Sequence, residues 1–301
     1  MARGKIVAGI LAPHPPHLVY AEAAPQNEVH GSCGWESLRW GYAACRERLR
    51  ALQAEVLLVH SPHWQTIVGH HVIAVDTLKG LAVDPIFPHI FRYHYEVNFE
   101  VALAKKIAEE ARVEGLTTAL MTNPDFCLDY GSVTSLHMVN PQWDLPVVVL
   151  SANNSPYYFS TTKGMEEMTK LGVATRRAIE QSGKRCVLLA SNSLSHRHFT
   201  EEPAVIEDMS AERIYQHSHY QWDMKVLAMM RAGRAQELLE LLPHYIEETA
   251  AEVKAGALTW MLAALGVPTY GAEVHGYGTV IGTGNAVVGW YEDVEQGASN
   301  V

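Results

Sequence analysis

Three stretches place a histidine beside proline or serine just after an apolar run. They are Ala12-Pro13-His14-Pro15-Pro16-His17, His60-Ser61-Pro62-His63-Trp64 and Ser191-Asn192-Ser193-Leu194-Ser195-His196. The runs before them, residues 5–11, 56–59 and 185–190, read as buried strands, so each histidine sits beyond a strand's C-terminal end. Proline on both sides of His14 stiffens the backbone and lowers the entropy cost of holding its imidazole in one direction. That suits a metal ligand. The bland alternatives are a packed turn for His63, beside Trp64, and a cap on the following segment for His196.

A carboxylate completes the pattern. Glu252 falls among small and apolar residues on one face of a helix expected over 244–265, with Pro243 placed to open it, whereas Glu247 and Glu248 look solvated. A carboxylate facing a core must be paired or metal-bound, because burying it bare is very costly. Two neutral imidazoles and one carboxylate, leaving adjacent positions open, are the ligand set of non-haem Fe(II) oxygenases, and His14, His63 and Glu252 fit it. The same groups on zinc would instead activate water, as in a metal-dependent hydrolase. A chain with 16 histidines offers many such triples, so spacing alone is weak.

The elements that must position these groups are those of an α/β protein. Residues 34–53 carry Trp35, Leu38, Tyr42, Cys45, Leu49 and Leu52 at helical spacing between the first two strands, which makes a β-α-β unit. Two neighbouring strand ends then deliver His14 and His63 to one crevice, where open α/β sheets bind ligands. Further strands are expected at 72–75, 117–121, 146–150 and 286–290, and helices at 98–112, 163–181, 208–230 and 235–242. Residues 81–95, rich in proline and aromatics, read as a long ordered loop that could wall an apolar pocket. With no repeat and no linker, the expectation is a single large domain over 1–301, a central mixed, mostly parallel sheet flanked by helices.

Composition narrows the function classes. A formal charge of −10 and the lack of a basic run argue against a nucleic-acid partner. Too few apolar residues precede Pro13 for a membrane span or a convincing secretory signal, so a cytoplasmic location is the default. Cys33, Cys45, Cys127 and Cys186 form no Cys-x-x-Cys pair and read as reduced thiols.

The sequence resembles the class III extradiol ring-cleavage dioxygenases, the family of protocatechuate 4,5-dioxygenase catalytic subunits. Ala12-Pro13-His14-Pro15-Pro16, Ser61-Pro62-His63-Trp64, Ser193-Leu194-Ser195-His196 and the segment holding Glu252 carry the resemblance over nearly the whole chain. It implies His14, His63 and Glu252 as Fe(II) ligands and His196 as acid/base. It also implies an aromatic substrate, an aminophenol or a catechol, opened by O2. Where relatives often have Asp-His-Gly this chain has Asp129-Tyr130-Gly131, so Tyr130 would serve as a hydrogen-bonding phenol. Aminophenol-cleaving members pair the catalytic chain with a related α subunit that has lost its metal site, two of each. A non-catalytic role on the same fold is the alternative from a different class, and retention of all the ligand residues argues against it.

Overall fold

The computed structural model describes residues 3–22, 34–201, 203–206 and 208–291; Cys33 lies outside them. The described residues form one α/β domain around an eight-stranded sheet. Its centre is parallel: β1 (Lys5–Leu11), β2 (Val56–Thr66), β7 (Val147–Asn153) and β8 (Arg185–Ala190) run in the order β7-β2-β8-β1. These strands are buried on both faces, which is why they read as unbroken apolar runs rather than alternating ones.

The edges break the parallel pattern. β3 (His70–Ile73) runs antiparallel to β7 and carries β6 (Thr118–Met121) outside it. On the other side β10 (Thr283–Tyr291) runs antiparallel to β1, and β9 (Glu273–Val280) pairs with β10. A two-residue turn, Ile281-Gly282, joins β9 to β10 with φ of 44° and 96°. Positive φ at both positions matches the twist of a tight hairpin.

Helices cover both faces. α3 (Val101–Val113), α6 (Thr161–Ser182), α7 (His217–Arg231), α8 (Ala235–Thr249) and α9 (Gly256–Leu265) share one apolar cluster with the sheet. α1 (Pro16–Glu22), α2 (Glu36–Ala51) and α4 (Tyr130–Val139) share the other. In α2 the buried set Leu38, Gly41, Tyr42, Cys45 and Leu49 follows the three-to-four-residue spacing that faces a core. α5 (Ser155–Phe159) is a single short turn leading into α6.

Several expectations need correction. Residues 81–95 are not one loop, because 81–83 and 92–95 lie in the paired strands β4 (Thr77–Val83) and β5 (Arg92–Asn98), a hairpin that pairs Leu78 with Val97 and Val83 with Arg92. The strand signal was in β5, where buried Tyr95 and Val97 alternate with exposed Arg92, His94 and Glu96. The ends of β1 and β2 are not adjacent: β8 lies between them and contributes the third histidine from the middle. α7 begins at His217 rather than near 208. The expected 244–265 helix is two pieces, since α8 continues through Pro243 to Thr249 and the chain then breaks before α9. Glu252 therefore sits in that break and not on a helix face.

One buried histidine on β2 bears on stability. The His60 ring lies 5.6 Å from that of Trp260, and burial, with a smaller effect of His70, pushes its pKa down to about 3. In the unfolded chain it returns to 6.5, so between these values the unfolded state holds more protons. Stability is thus fully kept above about 6.5 and declines as pH falls toward about 3. His60→Leu should lose less stability on going from about pH 7 to about pH 5 than the parent does, read by chemical denaturation at both. Equal acid losses would contradict this.

Candidate metal centre

His14 follows β1 in a loop held from two sides. Ala12 N–H donates to Ala190 O at 2.9 Å, and the buried Tyr42 hydroxyl donates to Pro13 O at 2.5 Å. A run of hydroxyls then orients the ring. Ser135 Oγ donates to Ala12 O at 2.8 Å, Ser191 Oγ lies 2.8 Å from Ser135 Oγ, and His14 Nδ1 lies 2.9 Å from Ser191 Oγ. Because the Ser135 proton goes to the carbonyl, Ser191 donates to Ser135 and accepts from His14 Nδ1–H. The Nε2 lone pair is left bare, the tautomer a metal ligand needs.

His63 lies on the irregular end of β2, where the register against β7 shifts between Ser61 and Gln65. Ser61 Oγ accepts from His63 N at 3.2 Å and donates to Asp129 Oδ1 at 2.7 Å. Asp129 also caps α4, accepting from Ser132 N at 2.8 Å, so one carboxylate ties the strand end to the helix that carries Tyr130. Gly131 follows from close packing, because a Cβ there would lie 2.7 Å from His63 Cδ2 and 3.2 Å from His14 Cδ2. Only a glycine lets α4 approach both imidazoles.

Glu252 is held by its backbone as much as by its side chain. Val253, Lys254 and Ala255 all have positive φ, 40°, 55° and 51°, strained values for residues with a Cβ and worst for β-branched valine. Asn192 Nδ2 donates to Glu252 O at 3.0 Å, and Leu258 N donates to Asn192 Oδ1 at 3.2 Å, so one amide spans the break between α8 and α9. Ser193 N donates to Oε2 at 2.5 Å, while Oε1 receives no hydrogen bond. That free oxygen lies 3.0 Å from His14 Nε2 and 3.4 Å from His63 Nε2, with the two Nε2 atoms 2.8 Å apart.

Two imidazole nitrogens and a carboxylate oxygen, all within 4.8 Å of one another, could hold a metal ion. Their chemistry fits a divalent cation, because a buried carboxylate oxygen that no backbone or hydroxyl group reaches faces two imidazole nitrogens. Burial alone would raise the Glu252 carboxyl, but the surrounding imidazoles hold it well below the usual carboxylate range. For His63 burial opposes the charged form, and the same carboxylate outweighs it and raises the pKa.

His196 and Tyr130 flank the triad. His196 Nε2 lies 3.5 Å from Glu252 Oε1, and burial pushes its pKa down to about 4, leaving a neutral base near neutral pH. The Tyr130 hydroxyl lies 2.9 Å from His63 Nε2, and burial, followed by the charges of Asp84 and Glu252, raises its pKa so that it stays a donor. His17 is not part of the group. It is 1% exposed and packs against Trp35 and Phe87 at 5.1 and 5.3 Å. The turn between β4 and β5 supplies aromatic walls, Phe87 on His17 and Phe91 at 6.1 Å from the Tyr130 ring. Ser135, Ser191, Asn192 and Ser193 escaped the sequence reading, although the serine-rich stretch before His196 was the available signal.

A family model described as the catalytic LigB subunit of aromatic ring-opening dioxygenase matches residues 8–289. The chain belongs to this family. It is a ring-cleaving dioxygenase of the extradiol class, and the family implies a metal cofactor. Over 290 residues, 96% of this chain and 95% of the relative, it is 58% identical to the 2-aminophenol 1,6-dioxygenase beta subunit of Pseudomonas sp. A 3,4-dihydroxyphenylacetate 2,3-dioxygenase of Escherichia coli is 28% identical, over 90% of this chain and 94% of that one. The 2-aminophenol 1,6-dioxygenase alpha subunit of Pseudomonas sp is also 28% identical, over 84% and 90%. In fold the dioxygenase resembles the crystal structure of an uncharacterized protein from Escherichia coli K12, with a TM-score of 0.58, 17% identity and coverage of 94% and 99%. Among the described residues no helix is long and apolar enough to cross a membrane.

Proposed function

We propose that the chain opens the ring of 2-aminophenol, or a substituted 2-aminophenol, with O2 to give a 2-aminomuconate semialdehyde, using Fe(II) held by His14, His63 and Glu252. The observation that carries this is the convergence of Glu252 Oε1 with two imidazole Nε2 atoms at a buried point. The relative at 58% identity supports the substrate.

When bound, Fe(II) supplies coordination for both ring heteroatoms and for dioxygen, and a route for electrons between them. One carboxylate and two neutral imidazoles leave a divalent ion with one net positive charge. A singly deprotonated aminophenol would balance that charge, which suits a dry pocket. His196, neutral above about 4, takes the substrate hydroxyl proton at its ring nitrogen and returns it as the ring opens. Tyr130, whose hydroxyl lies 2.9 Å from His63 Nε2, would donate a hydrogen bond to the reacting pair, a phenol in the place of the histidine many relatives carry. Phe91, against the Tyr130 ring, keeps water from that side. Both oxygen atoms of O2 end in the product.

The two-subunit names of the relatives support a related α subunit as partner; that this partner lacks a metal site and that the assembly holds two of each are part of the proposal. A cytoplasmic location and a single catalytic domain over 1–301 complete the reading. Oxygen uptake by protein reconstituted anaerobically with Fe(II), on 2-aminophenol, ring-substituted 2-aminophenols and catechol, tests it. The expected result is fastest uptake with an aminophenol and a ring-opened amino product. Faster turnover of catechol would overturn the substrate assignment.

A further inference from the structure

A second buried carboxylate stands behind His196. Asp223, on α7, is 0% exposed and receives four hydrogen bonds, all from neutral donors. Ser195 N and Tyr245 O–H donate to Oδ1 at 3.1 and 2.7 Å, while Ser195 Oγ and Tyr277 O–H donate to Oδ2 at 2.8 and 2.9 Å. Burying a carboxylate is costly, and an apolar side chain would fill the same core more cheaply. What the acid adds is a double grip on one residue, Ser195.

The neighbouring backbone completes the grip. Leu194 N donates to Gly284 O at 2.8 Å, Gly284 N donates to Ser195 O at 2.9 Å, and His196 N donates to Thr249 O at 3.1 Å. Position 284 must be glycine for this, since a Cβ there would fall 1.8 Å from Asp223 Oδ2. Ser195 is thereby fixed at its N–H, its carbonyl and its hydroxyl, and the next residue is His196. His196 reaches the metal centre from a segment outside regular secondary structure, so this clamp does for it what a strand or helix would do.

We infer that Asp223, through Ser195, is a positioning residue that sets the imidazole of His196 against the reacting substrate. The inference rests on the acid/base reading of His196 above. A group misplaced by about 1 Å can cost about 10²-fold in rate without touching the substrate itself. Asparagine can replace the acid here. Its Oδ1 accepts from Ser195 N and Tyr245 O–H, and its Nδ2 offers two protons to the Ser195 and Tyr277 hydroxyls, which turn to accept.

The test combines a mutant cycle with a measurement that needs no turnover. In Fe(II)-loaded protein with 2-aminophenol, Asp223→Ala should lower kcat by about 10–100-fold with KM and iron content near those of the parent, and Asp223→Asn should recover most of the rate. In a His196→Ala background, Asp223→Ala should cost less than about twofold more, because the group it positions is gone. The same loss in both backgrounds, or an asparagine variant no better than alanine, would overturn the inference. Hydrogen exchange separates its failure from failure of the functional reading. Asp223→Ala should speed exchange at the amides of residues 194–196, and Asp223→Asn should not. Unchanged exchange there, or a rise spread over the whole sheet, overturns it whatever the substrate proves to be. An enzyme inert toward every aminophenol, with the exchange result as expected, would sink the aminophenol reading and leave the clamp standing.

Discussion

Glu252→Gln is expected to lose bound iron and ring cleavage together while the protein stays folded. Glutamine keeps the shape and can still accept from Ser193 N, but it puts an amide where Oε1 now faces His14 Nε2 at 3.0 Å. A neutral amide removes the one anionic group of the proposed ligand set, and its NH2 group has no lone pair for a metal. Loss of an outer hydrogen-bond partner commonly costs about 10–100-fold in metal affinity, and loss of the ligand charge should exceed that. Because the imidazoles hold the buried Glu252 carboxyl below its usual range, its charge stabilises the fold near neutral pH, so the melting temperature of metal-free protein should fall while the protein remains folded at room temperature. Iron per chain, by elemental analysis after desalting, and oxygen uptake are the readouts. Full iron-dependent uptake in Glu252→Gln would contradict the ligand assignment.

His196→Ala should separate what Glu252→Gln loses together. His196 Nε2 stands 3.5 Å from Glu252 Oε1 but is not among the three atoms that converge within 4.8 Å of one another. Iron should therefore remain near the parental level, with KM for 2-aminophenol changed little. A positioned acid/base typically supplies about 10²–10⁴-fold, so kcat should fall by that factor. Iron loss equal to that of Glu252→Gln would make His196 a ligand rather than a proton carrier.

The strands and the histidines were legible because both signals are local. A buried parallel strand announces itself as an apolar run, and His14, His63 and His196 each follow one within a few residues. The expected mixed, mostly parallel sheet was accordingly borne out. What failed to show was long-range or strained. That β8 threads between β1 and β2 depends on pairings 130 and 180 residues apart, such as Val56 with Cys186 and Lys5 with Arg185, which periodicity does not report. The break that presents Glu252 is built from positive φ at Val253, Lys254 and Ala255, residues that sequence rules place in a helix or strand. Helical spacing thus pointed to a carboxylate that does face the two imidazoles, but for a wrong reason. Asp223 gave no signal at all, since a lone acid within an amphipathic helix looks like any solvated one until Ser195, Tyr245 and Tyr277 close around it.

The stoichiometry of a single turnover decides most directly whether this site does oxygen-dependent ring opening. Protein loaded anaerobically with Fe(II) and mixed with substoichiometric 2-aminophenol should leave the substrate unchanged without oxygen. On admission of O2 it should consume one O2 per ring opened, with both oxygen atoms in the product. Consumption of the substrate in the absence of O2, or equal activity with Zn(II) in place of Fe(II), would contradict it and point to hydrolysis by the same three ligands.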